Sequence, residues 1–144
     1  MRRGDIRLVD LDLDPVGGAE AHKRRPAVIV SNDGANSAAV RLGRGVLTVV
    51  SVTSNVHRVH PFQVLLSSAD TGLRLDSKAQ AEQTRSVAVE RIGRRMGTVP
   101  AAGMTLLDEA LRLHLRDSTR SNPKRSTLRR LFCAPAPTRQ LHPV

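Results

Sequence analysis

The stretch that most constrains this chain is Arg25-Pro26-Ala27-Val28-Ile29-Val30-Ser31-Asn32, in which a basic, turn-forming entry runs straight into an apolar segment and out into a polar loop. An apolar run this short, with β-branched residues, predicts a strand buried on both faces, because a helix needs about 10 residues or more. Pro26 suits the start of such a strand. It has no N–H to give to a ladder and pushes Arg25 towards an extended conformation. The strand would then hold the Arg25 guanidinium at its mouth. Arg24 and Arg25 also fit a plainer reading as solvated loop charges, since surface arginine is common.

Other segments fill out a small, mainly β domain. Ile6 to Asp14 alternates apolar and acidic residues but changes phase, which predicts a strand with a bulge near Leu8-Val9. Pro15-Val16-Gly17-Gly18 ends it, and Ala19 to Arg24 reads as a polar loop. Ser31 to Ser37, rich in Asn, Asp, Gly and Ser, reads as a further loop. Val46 to Thr53 is the clearest second core strand, leaving Thr53-Ser54-Asn55 at a strand end. Pro61 to Leu66 predicts a third strand and Leu73 to Leu75 a short fourth. Asp76 to Ile92 is ambiguous: Ala79 to Gln83 favour helix, whereas Ser86 to Val89 favour strand. Leu107, Ala110, Leu111 and His114 recur at helical spacing and predict a helix over about Ala101 to Leu115, with Pro100 able to occupy its first turn.

Charge divides the chain. Of a formal net charge of +10, six basic residues without an acidic one fall after Ser118, so residues 1–117 carry only +4. Residues 1–117 read as one domain and 118–144 as a disordered basic tail. Such a balance favours an acidic partner without specifying it. Phe62 and Phe132 are the only aromatic residues of the Phe, Trp and Tyr class, which argues against an RNA-recognition module built on an aromatic platform. No apolar run approaches the ~20 residues of a membrane span, and no secretory leader pattern is visible. The lone Cys133 has no internal disulfide partner, so the cytoplasm is the expected compartment.

Phosphate-binding glycine loops and paired-Cys zinc patterns are missing from the sequence. His57 and His60 flank a strand start without a third ligand nearby, and read as surface or substrate-facing rather than metal-binding. Glu20, Arg25 and Thr53-Ser54 form the more useful set. A carboxylate can take a proton, a guanidinium can clamp phosphate oxygens and a hydroxyl can donate to them, which together suffice to cut a phosphodiester without metal. Their spacing in sequence does not establish that they meet.

At these residues the chain resembles the MazF/PemK family of toxin endoribonucleases. The likeness covers most of residues 1–116, through Arg3-Gly4-Asp5-Ile6, Val9-Asp10-Leu11-Asp12, Asp14-Pro15, Gly18-Ala19-Glu20, Arg25 to Asp33, Val49 to Asn55, Pro61-Phe62-Gln63-Val64 and Ala81 to Ser86. It implies an α+β, mainly β fold: a small SH3-like β-barrel of the CcdB/PemK type with a C-terminal helix. It also implies that Ala81 to Ser86 is extended, a homodimer, and neutralisation by a cognate antitoxin. Single-stranded RNA would lie in a groove and be cut without cofactor or metal, the 2′-hydroxyl attacking phosphorus to leave a 2′,3′-cyclic phosphate and a 5′-hydroxyl. The family's catalytic Arg and Thr fall on Arg25 and Thr53, and Glu20 matches an acidic position linked to activity. Glu20 is the candidate base ahead of His60 and His22. Arg24, Ser54, Asn55, His60, Phe62, Gln83 and Arg85 are the candidate RNA contacts.

Four departures from the family pattern stand out. Arg7 replaces a usual Trp or Tyr, Leu13-Asp14 extends a Leu-Asp pattern by two residues, Pro100 to Gly103 lacks the usual capping Ser and Glu so that the first helical turn is expected to fray, and the tail runs past the usual end. Two rival readings share the barrel: a gyrase poison of the CcdB type, and a catalytically inactive homologue that binds RNA or antitoxin. The first requires no Arg25/Thr53 pair and relies on an apolar C-terminal end that the basic tail does not resemble.

Overall fold

A computed structural model describes residues 1–11 and 23–115 of the chain. Glu20, His22, Leu13-Asp14 and the tail from 118 onward therefore lie outside the described residues. The centre of the fold is formed by β2 (Arg24–Ile29) and β3 (Val46–Thr53), which pair antiparallel with Val28 opposite Val50. Ala27, Val28 and Ile29 are all completely buried, so β2 is covered on both faces as its apolar run requires. The ladder to β3 ends at Ala27, short of Pro26, which has no N–H to offer.

Outward from this pair, β1 (Asp5–Asp10), β4 (Gln63–Leu66), β5 (Ser77–Ala88) and β6 (Ile92–Thr98) complete a six-stranded antiparallel sheet in the order β4-β5-β3-β2-β1-β6. The ambiguous segment from Asp76 is thus mostly strand. Ala79 and Gln80 pair with Val52 and Ser51 on one side and with Val64 and Gln63 on the other, and those cross-strand partners override the helical propensity of the segment. The edge strands β4 and β6 do not pair with each other. Instead the sheet curls until Gly97 of β6 meets the turn after β4: a Cβ at Gly97 would lie 2.1 Å from the Thr71 carbonyl oxygen. Only glycine permits that approach, which draws the two edges of the incomplete barrel together.

Two apolar clusters occupy the two faces. Ile6, Val28, Val50, Val52, Val64 and Ala79 pack beneath α3 (Ala101–His114) through Met104, Leu107 and Ala110. Val9, Leu11, Ala27, Ile29, Leu47 and Val49 pack with Ala39 of α1 (Asp33–Leu42) and with Val87, Val89 and Ile92. The phase change in β1 follows from these two cores. Ile6 serves one face and Val9 and Leu11 the other, while the β1–β2 register runs without a shift. The expected bulge at Leu8-Val9 is absent from that ladder. The shifts occur between β1 and β6, where β6 carries the extra residues.

Helix α1 replaces the loop expected over Ser31 to Ser37. The Asn32 side chain accepts from the Ala35 N–H at 2.9 Å, capping the helix, and Gly43 ends it in the left-handed region at φ 63°. Inside, the Asn36 side chain donates to the Ser31 carbonyl at 2.9 Å, and Ser31 Oγ accepts from the Thr48 N–H at 3.1 Å. The short strand expected at Leu73 to Leu75 is also absent. A single helical turn, α2 (Ser68–Thr71), precedes it, and the Ser68 N–H donates to Asp76 at 2.8 Å. That backbone bond favours the charged carboxylate and holds Asp76 below its ordinary pKa.

Helix α3 starts at Pro100 without a side-chain cap, yet its first turn is closed by the Met104 N–H on the Pro100 carbonyl at 2.9 Å. Arg3 joins the chain start to both longer helices. Its guanidinium pairs with Asp108 and donates to the Val30 carbonyl, and its N–H donates to Asp33 at 2.7 Å. The Asn36 network is the more vulnerable element because Asn36 is completely buried. Asn36→Ala is expected to lower the unfolding free energy by about 2 kcal/mol, read from urea denaturation, by stranding the polar groups of Ser31.

Candidate active site

Register assembles the site. Thr53, at the end of β3, is the direct cross-strand partner of Lys78 on β5, and Lys78 in turn faces Leu65 on β4. On the other side, continuing the β2–β3 register two residues past Ala27 and Ser51 sets Arg25 opposite Thr53, and Arg25 already pairs with Val9 of β1. Leu65, Lys78 and Thr53 therefore form one paired row, and Arg25 with Val9 falls in line with it beyond the point where the β2–β3 ladder ends. Paired strands lie about 4.8 Å apart, so Lys78 is an immediate backbone neighbour of Thr53.

The next row, Ala27, Ser51, Gln80 and Gln63, is also polar at its β3–β4 end. This face is thus apolar beneath α1 and polar towards Thr53. Ser51 is completely buried, and its Oγ has no hydrogen-bond partner among the described residues. Orphaned polar atoms are uncommon in folded proteins and here one sits beside the Arg25–Thr53 position.

Beyond Thr53 the chain turns outward. Thr53 Oγ1 accepts from the Asn55 N–H at 3.3 Å, and Asn55 Oδ1 accepts from the His57 N–H at 3.3 Å, which folds the loop over the strand end. A cavity of about 600 Å³ opens there, lined among others by Asn55, His60, Phe62, Lys78, Glu82 and His114. His60 stacks on Phe62 with ring centroids 5.3 Å apart and planes 6° from parallel, and His114 tilts against the other ring at 6.1 Å. Gln63 ties the wall together: its Oε1 accepts from the His60 N–H at 3.1 Å and its Nε2 donates to Glu82. The second Glu82 oxygen, Oε2, is buried without a partner among the described residues.

Glu82 reaches this wall through an irregularity. Between the pairs Val50–Thr84 and Ser51–Gln80, β5 carries three extra residues, Ala81 to Gln83, which bulge from the ladder. Arg85 lies beyond the bulge, opposite Val49, and donates to the Leu11 carbonyl at 3.4 Å. It stands at the root of the segment carrying Glu20, two rows from Thr53. Arg24 pairs with Asp10 and, by strand alternation, faces away from Arg25. The structure thus brings Arg25, Thr53, Ser54, Asn55, His60 and Phe62 to one end of the sheet, and sets Arg24 and Arg85 apart from them. His57 and His60 share the cavity, and among the described residues no three His, Cys, Asp or Glu side chains are grouped to hold a metal ion.

Arg7 shares the site's face but not its chemistry. Its Nη1 donates to the Gly93 carbonyl at 2.9 Å, and its guanidinium lies 3.9 Å from Asp5, which also draws Arg95 to 3.4 Å. It is part of the β1–β6 joint. Lys78, Gln63 and Gln80 are the residues that sequence reasoning overlooked, since their place depends on the register of a segment whose conformation the sequence left undecided.

The fold is thus a small, incomplete β-barrel in which Thr53 and Lys78 pair at one end of the sheet beside a polar cavity. The family model of the PemK-like, MazF-like toxin of type II toxin-antitoxin systems matches residues 2–115, and the chain belongs to that family. It is 64% identical over 115 residues to endoribonuclease MazF9 of Mycobacterium tuberculosis, a span covering 80% of this chain and 96% of that one. Among solved structures it resembles the Mycobacterium tuberculosis toxin MazF-mt6, with 25% identity, a TM-score of 0.61 and coverage of 78% and 96% of the two chains. It also shares its fold with a mycobacterial endoribonuclease solved with its cognate antitoxin, at TM-score 0.63, 22% identity and coverage of 81% and 96%.

The cavity wall gives a direct stability test. Gln63→Met removes the donor to Glu82 and the acceptor for the His60 N–H. A loss of about 2 kcal/mol is expected in urea unfolding, together with shifted His60 and Phe62 ring signals by NMR.

Proposed function

We propose that this chain is the toxin of a toxin-antitoxin pair, a sequence-specific endoribonuclease that cuts single-stranded RNA without metal in the cytoplasm and thereby inhibits translation and growth. Family membership and the 64% identity to an endoribonuclease support the activity. The observation that supports the site assignment is the β2–β3 register, which, continued two residues past Ala27 and Ser51, brings Arg25 level with Thr53 at the end of the sheet.

In the proposed reaction the 2′-oxygen forms a bond to phosphorus as the bond to the 5′-oxygen breaks. The products are a 2′,3′-cyclic phosphate and a 5′-hydroxyl. A guanidinium stays protonated near neutral pH and is a poor base, so Arg25 clamps the phosphate oxygens and stabilises the charge that builds on them. Thr53 donates a hydrogen bond to the same group. Glu20 takes the 2′-hydroxyl proton, and solvent supplies the proton that the departing 5′-oxygen gains. Asn55, His60 and Phe62, on the cavity wall, hold the neighbouring nucleotides together with Ser54 and Gln83, while Arg24 and Arg85 contact the strand farther out.

Two partners complete the proposal. A homodimer is supported by Leu65, Leu106 and Leu113, each more than half exposed around a cavity of about 580 Å³ between β4 and α3. A cognate antitoxin is supported by the like-folded endoribonuclease that has been solved with one.

The test is purified protein with mixed-sequence RNA in EDTA. Cleavage with cyclic-phosphate ends is expected, with Arg25→Ala and Thr53→Val each slower by about 10²- to 10³-fold. Glu20→Gln should lose the pH dependence of the base. RNA left intact by the wild type would overturn the nuclease assignment, and near-normal cleavage by Glu20→Gln across pH would remove Glu20 from its role.

A further inference from the structure

Lysine is rarely buried unless it is paired, yet Lys78 is only 8% exposed. Its ammonium donates to the Arg58 carbonyl, and among the described residues no carboxylate forms an ion pair with it. An ammonium carries three donors, so one bond to a carbonyl leaves two unused. Its neighbours on the opposite sheet face, Ala79 and Val64, are apolar core residues, and Leu65 stands beside it in its own row. An apolar side chain would satisfy packing at this position without the cost of desolvating a charge.

What distinguishes the position is its place in the row. Lys78 is the cross-strand partner of Thr53 on the side opposite Arg25, and it lines the cavity that holds Asn55, His60 and Glu82. We infer that Lys78 is a phosphate-binding residue of this site, its ammonium closing on the RNA backbone from the flank of Thr53 opposite Arg25. The inference rests on the reading that this end of the sheet holds RNA. Arg25 supplies a planar fork to one pair of oxygens, and Lys78 supplies a compact charge to the next oxygen or phosphate along the strand. The bond to the Arg58 carbonyl gives the same ammonium a second effect, because it fixes the loop between Ser54 and Phe62 against β5.

Two variants separate the charge from the loop anchor. Lys78→Met keeps an unbranched stem and loses every donor. Lys78→Gln keeps a donor for the Arg58 carbonyl and loses the charge. Each is compared with wild type for binding of a single-stranded oligonucleotide whose 2′-hydroxyls are replaced by hydrogen, over a series of salt concentrations. Loss of one phosphate contact is expected to reduce the slope of log affinity against log salt by about 0.7 in both variants. Single-turnover RNA cleavage is expected to fall by about 10²-fold in both. Thermal unfolding checks that each variant is folded; should Lys78→Met fail to fold, Lys78→Gln carries the test. A wild-type salt slope in the folded variants overturns the inference, whatever happens to the rate. Because binding is read without cleavage, this outcome is distinct from failure of the nuclease assignment, which would show as intact RNA with the wild type.

Discussion

The antiparallel register between β2, β3 and β5 is the constraint on which the rest of this structure depends. Val28 opposite Val50 and Val52 opposite Ala79 lock the central strands on one face, while Ile29 opposite Val49 locks them on the other. A slip of one residue would move every one of these side chains to the wrong face, and both faces are buried. The same register that satisfies the two cores pairs Thr53 with Lys78 and, continued past the end of the β2–β3 ladder, brings Arg25 level with them. Positioning of the site is therefore a by-product of core packing, and needs no separate device.

The site end of the sheet is also where the fold tolerates unfavourable features. The buried Ser51 hydroxyl, the unpartnered Glu82 oxygen, the buried Lys78 and the three-residue bulge of β5 all lie within a few residues of Thr53 or its cavity. Of the three buried side-chain polar atoms without a partner among the described residues, two lie here and the third, Arg7 Nε, lies at the β1–β6 joint, while the Ser31–Asn36–Thr48 network is satisfied from within. Such an uneven distribution is what a site prepared for a polar ligand should show, since groups that would meet a phosphate or a base have no reason to be satisfied from within.

Much of the fold was legible in the sequence because its strongest signals are local. The apolar run Ala27 to Val30, the β-branched run Val46 to Thr53 and the helical spacing of Leu107, Ala110 and Leu111 all report their own elements. The failures share a cause. Ser31 to Ser37 reads as loop by composition, but the Asn32 cap and the buried bonds of Asn36 start helix α1 within it. The two phases of β1 read as a bulge, but the second core, built by residues far along the chain, accounts for both. Arg25 and Thr53 were recognised through a motif resemblance; their adjacency, and the presence of Lys78 beside them, follow only from long-range pairing that no local pattern encodes.

The proposed activity requires that a phosphodiester be held at the end of the sheet over Thr53. A structure of the protein with an RNA made uncleavable by a 2′-deoxy substitution at the cut position tests it most directly. The phosphate at that step is expected to lie on the Arg25–Thr53–Lys78 face, with its oxygens at about 3 Å from the Arg25 guanidinium and the Thr53 hydroxyl. A phosphate bound instead on the face covered by α3, or along the β6 edge beside Arg94 and Arg95, would contradict it.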